Sequence, residues 1–214
     1  MKSVEDARVY LVATSELKAG RLADLVPDLV GAGVDLVQLR EKELDGGRVL
    51  EFGAEIRDAC LAAGVPFVIN DRPDIALALG CGVHLGQDDV PADLARRILG
   101  DATIGRSTHS REQLSAELAA IPRPSYVAVG PVFATPTKPG RPSTGLELIR
   151  FAAKAAGDFP WFAIGGIDET NLDEVMGAGA RRVVVVRAIT ESDDPVAVTA
   201  RLKRQLEGVP LKAR

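Results

Sequence analysis

Polar and charged side chains crowd into one short stretch of the chain, Gln38-Leu39-Arg40-Glu41-Lys42. The stretch follows the apolar run Val34 to Val37, which is typical of a short buried β-strand. An amide and two cations delivered to one rim of a fold suit an anionic ligand. A solvated loop of mixed charge is the plainer alternative, so the chemistry at the later strand ends decides between the two.

Two carboxylates follow the next two predicted strands. Asp71 comes directly after the run Phe67 to Asn70, and Asp89 comes shortly after Val83 to Gly86. Neighbouring strands lie about 5 Å apart, so these side chains can share one divalent cation, for which Mg²⁺ is the best match. Asp88 competes with Asp89 for this role, and each aspartate could instead cap the helix that follows it.

Glycine-rich and long loops follow the later predicted strands. Gly165-Gly166-Ile167-Asp168 leads from a strand into a helix, where backbone N–H groups can hold a phosphate, and Val186-Arg187-Ala188 can supply a second such loop. A plain turn that uses glycine for its positive φ is the alternative. The connection from Pro131 to Gly145 is longer than the usual two to about six residues. This length favours a lid, from which Lys138 can reach a leaving phosphate, and an ordinary flexible surface loop is the alternative.

Ser107 and the two histidines do not form a hydrolase motif. The segment Gly105-Arg106-Ser107-Thr108-His109 lacks the glycine that a nucleophile elbow needs at its fifth place. His84 lies inside a predicted strand, so we expect a packed or hydrogen-bonded core residue there.

Eight alternating strand and helix patterns position these residues. The predicted strands cover residues 9–13, 36–40, 67–70, 83–86, 103–107, 126–130, 161–164 and 182–186, each followed by a helical pattern. Such apolar strands indicate a parallel sheet covered on its outer face, and eight units favour closure into a (β/α)8 TIM barrel. A doubly wound open sheet is the second choice, because no strand is followed by Gly-x-Gly-x-x-Gly. In such a barrel the polar strand ends form the active site.

Size and composition describe an ordinary globular protein. The 214 residues show no compositional break, so we predict a single domain over residues 1–214. A net charge of −4 gives no reason to expect nucleic acid or a membrane surface as a partner. No apolar run approaches membrane-spanning length, and we expect a cytoplasmic protein with Cys60 and Cys81 as reduced thiols. The sequence leaves a homo-oligomer open.

Five motifs taken together resemble the thiamine-phosphate synthase family, in order and over nearly the whole chain. They are residues 38–42 (QLREK), 69–71 (IND), 84–89 (HLGQDD), 130–138 (GPVFATPTK) and 163–167 (AIGGI). The resemblance implies a phosphate-binding (β/α)8 barrel and a transferase activity. That family joins 4-amino-2-methyl-5-(diphosphooxymethyl)pyrimidine to hydroxyethylthiazole phosphate, which gives thiamine phosphate and diphosphate.

The resemblance also implies roles for individual residues. The pyrimidine diphosphate would contact Gln38, Leu39, Arg40, Glu41, Lys42, Asn70, Ser107 and Lys138, of which Arg40, Lys42, Ser107 and Lys138 would act in catalysis. The thiazole phosphate would contact Thr135, Pro136, Thr137, Gly166, Val186 and Arg187. Asp71 and Asp89, rather than Asp88, would bind Mg²⁺. Many family members have serine where this chain has Arg187, so the role of that side chain is open.

Two other functions remain as alternatives. One is a thiazole-phosphate tautomerase of the same superfamily, which would use His109 as a base and no metal. The other is a barrel that binds thiazole phosphate without catalysis. The two carboxylates and the Arg40/Lys42 pair argue against the tautomerase. Titration of each ligand with and without Mg²⁺ would distinguish the binding barrel from the synthase.

Overall fold

A computed structural model describes residues 2–135 and 142–211. The strands are β1 (Val9–Ala13), β2 (Glu16–Leu17), β3 (Gly20–Arg21), β4 (Leu36–Leu39), β5 (Phe67–Asn70), β6 (Gly82–Leu85), β7 (Ile104–Thr108), β8 (Tyr126–Val129), β9 (Trp161–Ile164) and β10 (Val183–Val185). The helices are α1 (Leu22–Ala32), α2 (Gly46–Ala63), α3 (Pro73–Leu79), α4 (Ala92–Leu99), α5 (Arg111–Ala119), α6 (Gly145–Ala155), α7 (Leu172–Gly177), α8 (Arg187–Thr190) and α9 (Pro195–Glu207). Within the described ranges no helix is long and apolar enough to cross a membrane.

Eight of these strands close into a parallel barrel in the order β1-β10-β9-β8-β7-β6-β5-β4, and β4 pairs with β1. The predicted (β/α)8 barrel is therefore confirmed. Two features were not predicted from the sequence. One is the small antiparallel hairpin of β2 and β3, and the other is the single helical turn α8.

Apolar side chains fill two layers, because successive residues of a strand point to opposite faces of the sheet. The larger layer packs between the strands and the surrounding helices. The smaller layer fills the barrel interior, where the rings of Tyr10, Tyr126 and Phe162 meet edge to face with centroids 5.4–5.6 Å apart. Gly105 makes room for this packing, since a Cβ there would lie 2.1 Å from the Tyr126 ring. The aromatic rings close the floor beneath the carboxyl ends of the strands.

A buried carboxylate joins the chain's two ends at the amino-terminal side of the barrel. Asp35 accepts hydrogen bonds from Lys203 Nζ (2.7 Å), Lys2 Nζ (2.9 Å) and the amides of Arg8 (2.8 Å) and Val9 (3.1 Å). Burial alone would raise the pKa of Asp35, but these donors outweigh burial and hold it below its ordinary value. The group therefore ties β1 to α9 on the face opposite the predicted site.

Candidate active site

The carboxyl ends of the barrel strands line two adjoining cavities. The first, here called the aspartate cavity, has a volume of about 390 Å³ and is lined mainly by the ends of β4 to β7. The second, the glycine cavity, has a volume of about 270 Å³ and is lined by the loops after β9 and β10. The two share a boundary made by His109, Ile164, Val184 and Val186. Two small molecules bound in these cavities would therefore face each other.

The aspartate cavity brings together most of the residues predicted to contact the pyrimidine diphosphate and the metal. Its lining includes Gln38, Arg40, Lys42, Asn70, Asp71, Asp89 and Ser107. The amide nitrogen of Asn70 is buried and has no hydrogen-bond partner among the described residues. Because buried polar groups are nearly always paired, this donor indicates an acceptor on a ligand. Two cations of the same wall, Arg40 and Lys42, suit a negatively charged one.

The predicted metal pair is set up by the local backbone. Asp71 has a left-handed φ of 62°, and its carboxylate forms an ion pair with Lys42. Asp89 accepts a hydrogen bond of 2.7 Å from the amide of Gly86. Left-handed backbone is strained for an aspartate, so the surrounding structure holds Asp71 in this position.

The two carboxyl groups interact directly and titrate differently. Burial and the hydrogen bond with Asp89 raise the pKa of Asp71, against the opposing effect of Lys42. Burial also acts to raise the pKa of Asp89, but Asp71, the Gly86 amide and the nearby Lys42 and Arg106 outweigh it and lower the value. The opposite shifts reflect the close approach of the two carboxyl groups, which places both within reach of one divalent cation.

This donor set fits Mg²⁺. Neither aspartate caps the following helix, because the N-cap residues of α3 and α4 are Arg72 and Pro91, and the alternative of a capping role is wrong. The described residues contain no group of three or more His, Cys, Asp or Glu side chains placed to bind a metal. Mg²⁺ commonly takes one or two carboxylates and completes its shell with water and substrate phosphate.

A buried ion pair that the sequence did not reveal supports the loop carrying Asp89. Arg106 Nε lies 2.9 Å from Glu117 Oε1, and its Nη1 donates to the carbonyl of Gly86 at 2.5 Å. Gly86 is the residue whose amide binds Asp89. Arg106 therefore positions the carboxylate through the backbone of this loop.

The glycine cavity contains Thr135, Gly166, Val186 and Arg187 from the predicted thiazole-phosphate set. Gly165 and Gly166 have φ of 112° and 66°, and a Cβ at Gly165 would lie 2.5 Å from Pro131. The amide of Phe133 donates to the carbonyl of Gly165 at 3.0 Å, which ties the loop after β8 to the end of β9. The loop thus needs glycine for both space and conformation.

Arg187 stands at the rim of this cavity with a half-exposed side chain. Its Nη1 lies 3.8 Å from Glu191 Oε2, one turn along the chain. The same side chain also borders the groove beside β1. The guanidinium can therefore reach an anion in the glycine cavity but is not buried there.

Among the described residues, two predicted contacts, Leu39 and Glu41, do not line either cavity. Leu39 is 1% exposed and packs in the layer between strands and helices, because its neighbours Gln38 and Arg40 take the inward positions. The carboxylate of Glu41 accepts hydrogen bonds from the amide (2.6 Å) and hydroxyl (2.7 Å) of Ser15. Neither side chain lines a cavity, and a ligand contact for these two residues stays a prediction. Pro136, Thr137 and Lys138 lie outside the described residues.

Other residues line the cavities without having been predicted. Tyr10, Gln87 and His109 border the aspartate cavity, and His84 lies on its floor with hydrogen bonds to Tyr126 and Ser107. The expectation of a hydrogen-bonded His84 is thus met. The inward positions of β1 were the available signal for Tyr10.

Comparisons with known proteins agree with this arrangement. A family model described as Thiamine monophosphate synthase matches residues 9–189. The chain is 51% identical over 206 residues to a thiamine-phosphate synthase of Acidothermus cellulolyticus, which covers 95% of this chain and 97% of the relative. A thiamine-phosphate synthase of Thermobifida fusca is 50% identical over 207 residues, covering 96% and 94%.

A solved structure shares the fold over nearly the full length. The thiamine phosphate pyrophosphorylase of Pyrococcus furiosus superposes with a TM-score of 0.84 at 28% identity and covers 96% of this chain and 98% of its own. The comparisons give no support to a tautomerase. The chain belongs to the thiamine monophosphate synthase family.

Proposed function

We propose that this protein joins 4-amino-2-methyl-5-(diphosphooxymethyl)pyrimidine to hydroxyethylthiazole phosphate, which yields thiamine phosphate and diphosphate. The observation that supports this most is the pair of adjoining cavities, one rich in cations and carboxylates and the other framed by glycine loops. A reaction between two anionic small molecules needs two such cavities side by side, one for each molecule. The names of the relatives describe the same activity.

Each substrate has a cavity whose chemistry suits it. The pyrimidine diphosphate would occupy the aspartate cavity, with the diphosphate held by Arg40, Lys42, Ser107 and Lys138 and the ring held by Gln38 and Asn70. The thiazole phosphate would occupy the glycine cavity, held by Thr135, Thr137, the amide of Gly166, the backbone of Val186 and the side chain of Arg187. Leu39 and Glu41 then serve to support the strand end.

The protein's task in this reaction is mainly electrostatic. The bond between the pyrimidine methylene and the diphosphate oxygen breaks, and its electron pair leaves with the diphosphate. The thiazole nitrogen then donates its lone pair to the methylene cation, so no general base is required. Arg40, Lys42 and Lys138 stabilise the departing charge, and the apolar side chains of Ile164 and Val184 at the shared boundary keep water from the cation.

Asp71 and Asp89 are the residues that would hold Mg²⁺. When bound, the ion would neutralise charge on the diphosphate oxygens. The chain's own contribution is to place both carboxylates on one wall, with Lys42 beside Asp71. A cytoplasmic location, a single domain and any homo-oligomer stay predictions.

Calorimetric titration of each substrate into the purified protein, with and without Mg²⁺, tests the proposal. We expect the pyrimidine diphosphate to bind only weakly without Mg²⁺ and the thiazole phosphate to bind equally well in both conditions. Asp71→Asn should remove the Mg²⁺ effect. A matched control is Asp193→Asn, an exposed aspartate whose Lys18 partner lies 2.8 Å away. Binding of thiazole phosphate alone would indicate the non-catalytic alternative and overturn the proposal.

A further inference from the structure

A continuous chain of hydrogen bonds crosses the barrel interior beneath the aspartate cavity. The side-chain amide of Gln38 bonds to the Tyr10 hydroxyl, which lies 2.7 Å from the Tyr126 hydroxyl. The Tyr126 hydroxyl lies 3.1 Å from His84 Nδ1, and His84 Nε2 lies 2.9 Å from Ser107 Oγ. We call these five side chains the relay. It joins two predicted ligand contacts, Gln38 and Ser107, on opposite sides of the cavity floor.

All hydrogen bonds of the relay must point the same way along it, so the relay has two possible directions. A hydroxyl between two partners has one proton, so it donates to one neighbour and accepts from the other, and a neutral imidazole donates from one nitrogen and accepts at the other. The direction of any one bond therefore sets all the others. Either Gln38 donates into the relay and the Ser107 hydroxyl can donate to a ligand, or Ser107 donates into the relay and can only accept.

The structure favours the first of these directions. The nitrogen of the Gln38 amide faces the Tyr10 hydroxyl. At the other end, Arg40 and Lys42 mark the cavity as a site for acceptor oxygens, and so does the Asn70 amide, which has no partner in the part of the chain that the structure describes. A serine beside such an anion contributes most when it donates a charge-assisted hydrogen bond.

We propose that the relay runs from Gln38 to Ser107 and fixes the Ser107 hydroxyl as a donor to an anionic ligand oxygen. Tyr10, Tyr126 and His84 are then positioning residues that act through Ser107. The identity of that ligand as a diphosphate rests on the proposed function, whereas the direction of the relay does not.

Packing holds the relay in place. The hydroxyls of Tyr10 and Tyr126 are buried, and burial raises the pKa of both, so they keep their protons. The His84 ring stacks on Tyr126 with centroids 5.6 Å apart and an angle of 24°. A Cβ at Gly105 would lie 2.4 Å from the Tyr126 hydroxyl and 2.6 Å from His84 Nδ1, so glycine there leaves room for their contact.

The two histidines of the chain should carry their protons on different nitrogens. In the proposed direction His84 is protonated on Nε2. His109 Nδ1 lies 2.5 Å from the carbonyl of Gly130, which can only accept, so His109 is protonated on Nδ1. Nitrogen NMR of ¹⁵N-histidine-labelled protein reads both tautomers without any ligand. A proton on His84 Nδ1, or on both of its nitrogens, would overturn the direction.

A double-mutant cycle tests whether the relay acts through Ser107. The probe is inorganic diphosphate with Mg²⁺, titrated by calorimetry. Tyr126→Phe should weaken binding about tenfold in the native background, since a charge-assisted hydrogen bond becomes poorly aimed. In the Ser107→Ala background, Tyr126→Phe should cause no further loss of diphosphate affinity. The melting temperature should fall on Tyr126→Phe substitution in both backgrounds.

A matched control is Thr108→Val, which removes a buried hydroxyl next to Ser107 whose partner is the carbonyl of Ala128 at 3.1 Å. This variant should bind diphosphate like the native protein. An equal loss from Tyr126→Phe in both backgrounds would mean that Tyr126 only packs, and the relay's role would be refuted. If native protein bound no diphosphate at all, the proposed function would fail, while the His84 tautomer would still decide the direction of the relay.

Discussion

Replacing Asp35 with asparagine should destabilise the barrel far more than replacing an exposed aspartate. The Asp35 side chain is only 2% exposed and lies 2.7 Å from Lys203 Nζ and 2.9 Å from Lys2 Nζ. Asparagine has nearly the same shape as aspartate but no charge, so both lysines lose their anionic partner. In addition, an NH₂ group replaces one of the two acceptor oxygens of the carboxylate. Removing one partner of a buried ion pair costs about 3–5 kcal/mol. For a chain of this size, that corresponds to a melting temperature lower by roughly 6–20 °C.

The matched control is Asp193→Asn, whose side chain is 87% exposed and pairs with Lys18. This change should alter the free energy of unfolding by no more than about 0.5 kcal/mol. Urea unfolding followed by circular dichroism at pH 7 measures both variants. Equal effects of the two substitutions would refute the role assigned to Asp35.

The pH dependence gives a second check of the same reasoning. The pKa of Asp35 is lowered in the folded protein from its ordinary value of 3.8, so the unfolded chain takes up this proton more readily. The stabilisation is therefore fully present above about pH 4 and is lost as the pH falls through the folded pKa. The stability difference between the native protein and Asp35→Asn should shrink below pH 4. A constant difference at low pH would show that charge is not the cause.

Three further predictions concern the candidate active site. Asp71→Ala and Asp89→Ala should each abolish most activity while circular dichroism stays unchanged, and near-native turnover at limiting Mg²⁺ would remove that aspartate from the metal pair. Lys138→Ala should lower kcat more than it raises the KM for thiazole phosphate, because a cation that meets departing diphosphate acts chiefly in the transition state. A rise in the KM for thiazole phosphate alone would show that Lys138 contacts thiazole phosphate rather than the departing diphosphate. Arg187→Ser should weaken thiazole-phosphate binding by about 1.5–3 kcal/mol without affecting the pyrimidine diphosphate, and unchanged affinity in separate titrations would make Arg187 a surface residue.

Most of the barrel could be predicted from the sequence because its strands are continuous apolar runs between helical patterns. The hairpin of β2 and β3 could not, since each strand has two residues and no hydrophobic pattern can show in so short a segment. The turn α8 was missed for the same reason. Short elements of this kind depend on their neighbours rather than on their own sequence.

The candidate site was predicted residue by residue, and strand geometry decides which of those residues face the cavity. Contiguous residues of a motif alternate between the two faces of a strand, which turns Leu39 into the outer layer while Gln38 faces the cavity. The period of two could have excluded Leu39. No local signal could have shown the Tyr10–Tyr126 bond, because the two residues lie 116 positions apart and meet only when the barrel closes.

The ion pair of Arg106 and Glu117 was also beyond reach of the sequence. Arg106 lies on a barrel strand and Glu117 on the helix that follows it, so the pairing depends on how that helix packs. The left-handed backbone of Asp71 could not be predicted from the sequence either, since only the folded loop imposes it. Both features hold the carboxylates that the sequence did identify.

The central claim is that this chain unites two substrates across the shared boundary of its cavities. Purified protein supplied with the pyrimidine diphosphate, the thiazole phosphate and Mg²⁺ tests it, when thiamine phosphate and diphosphate are quantified together. We predict that the two products form in equal amounts and that omitting either substrate stops both. Release of diphosphate without thiamine phosphate, or no turnover of the mixed substrates, would contradict the claim.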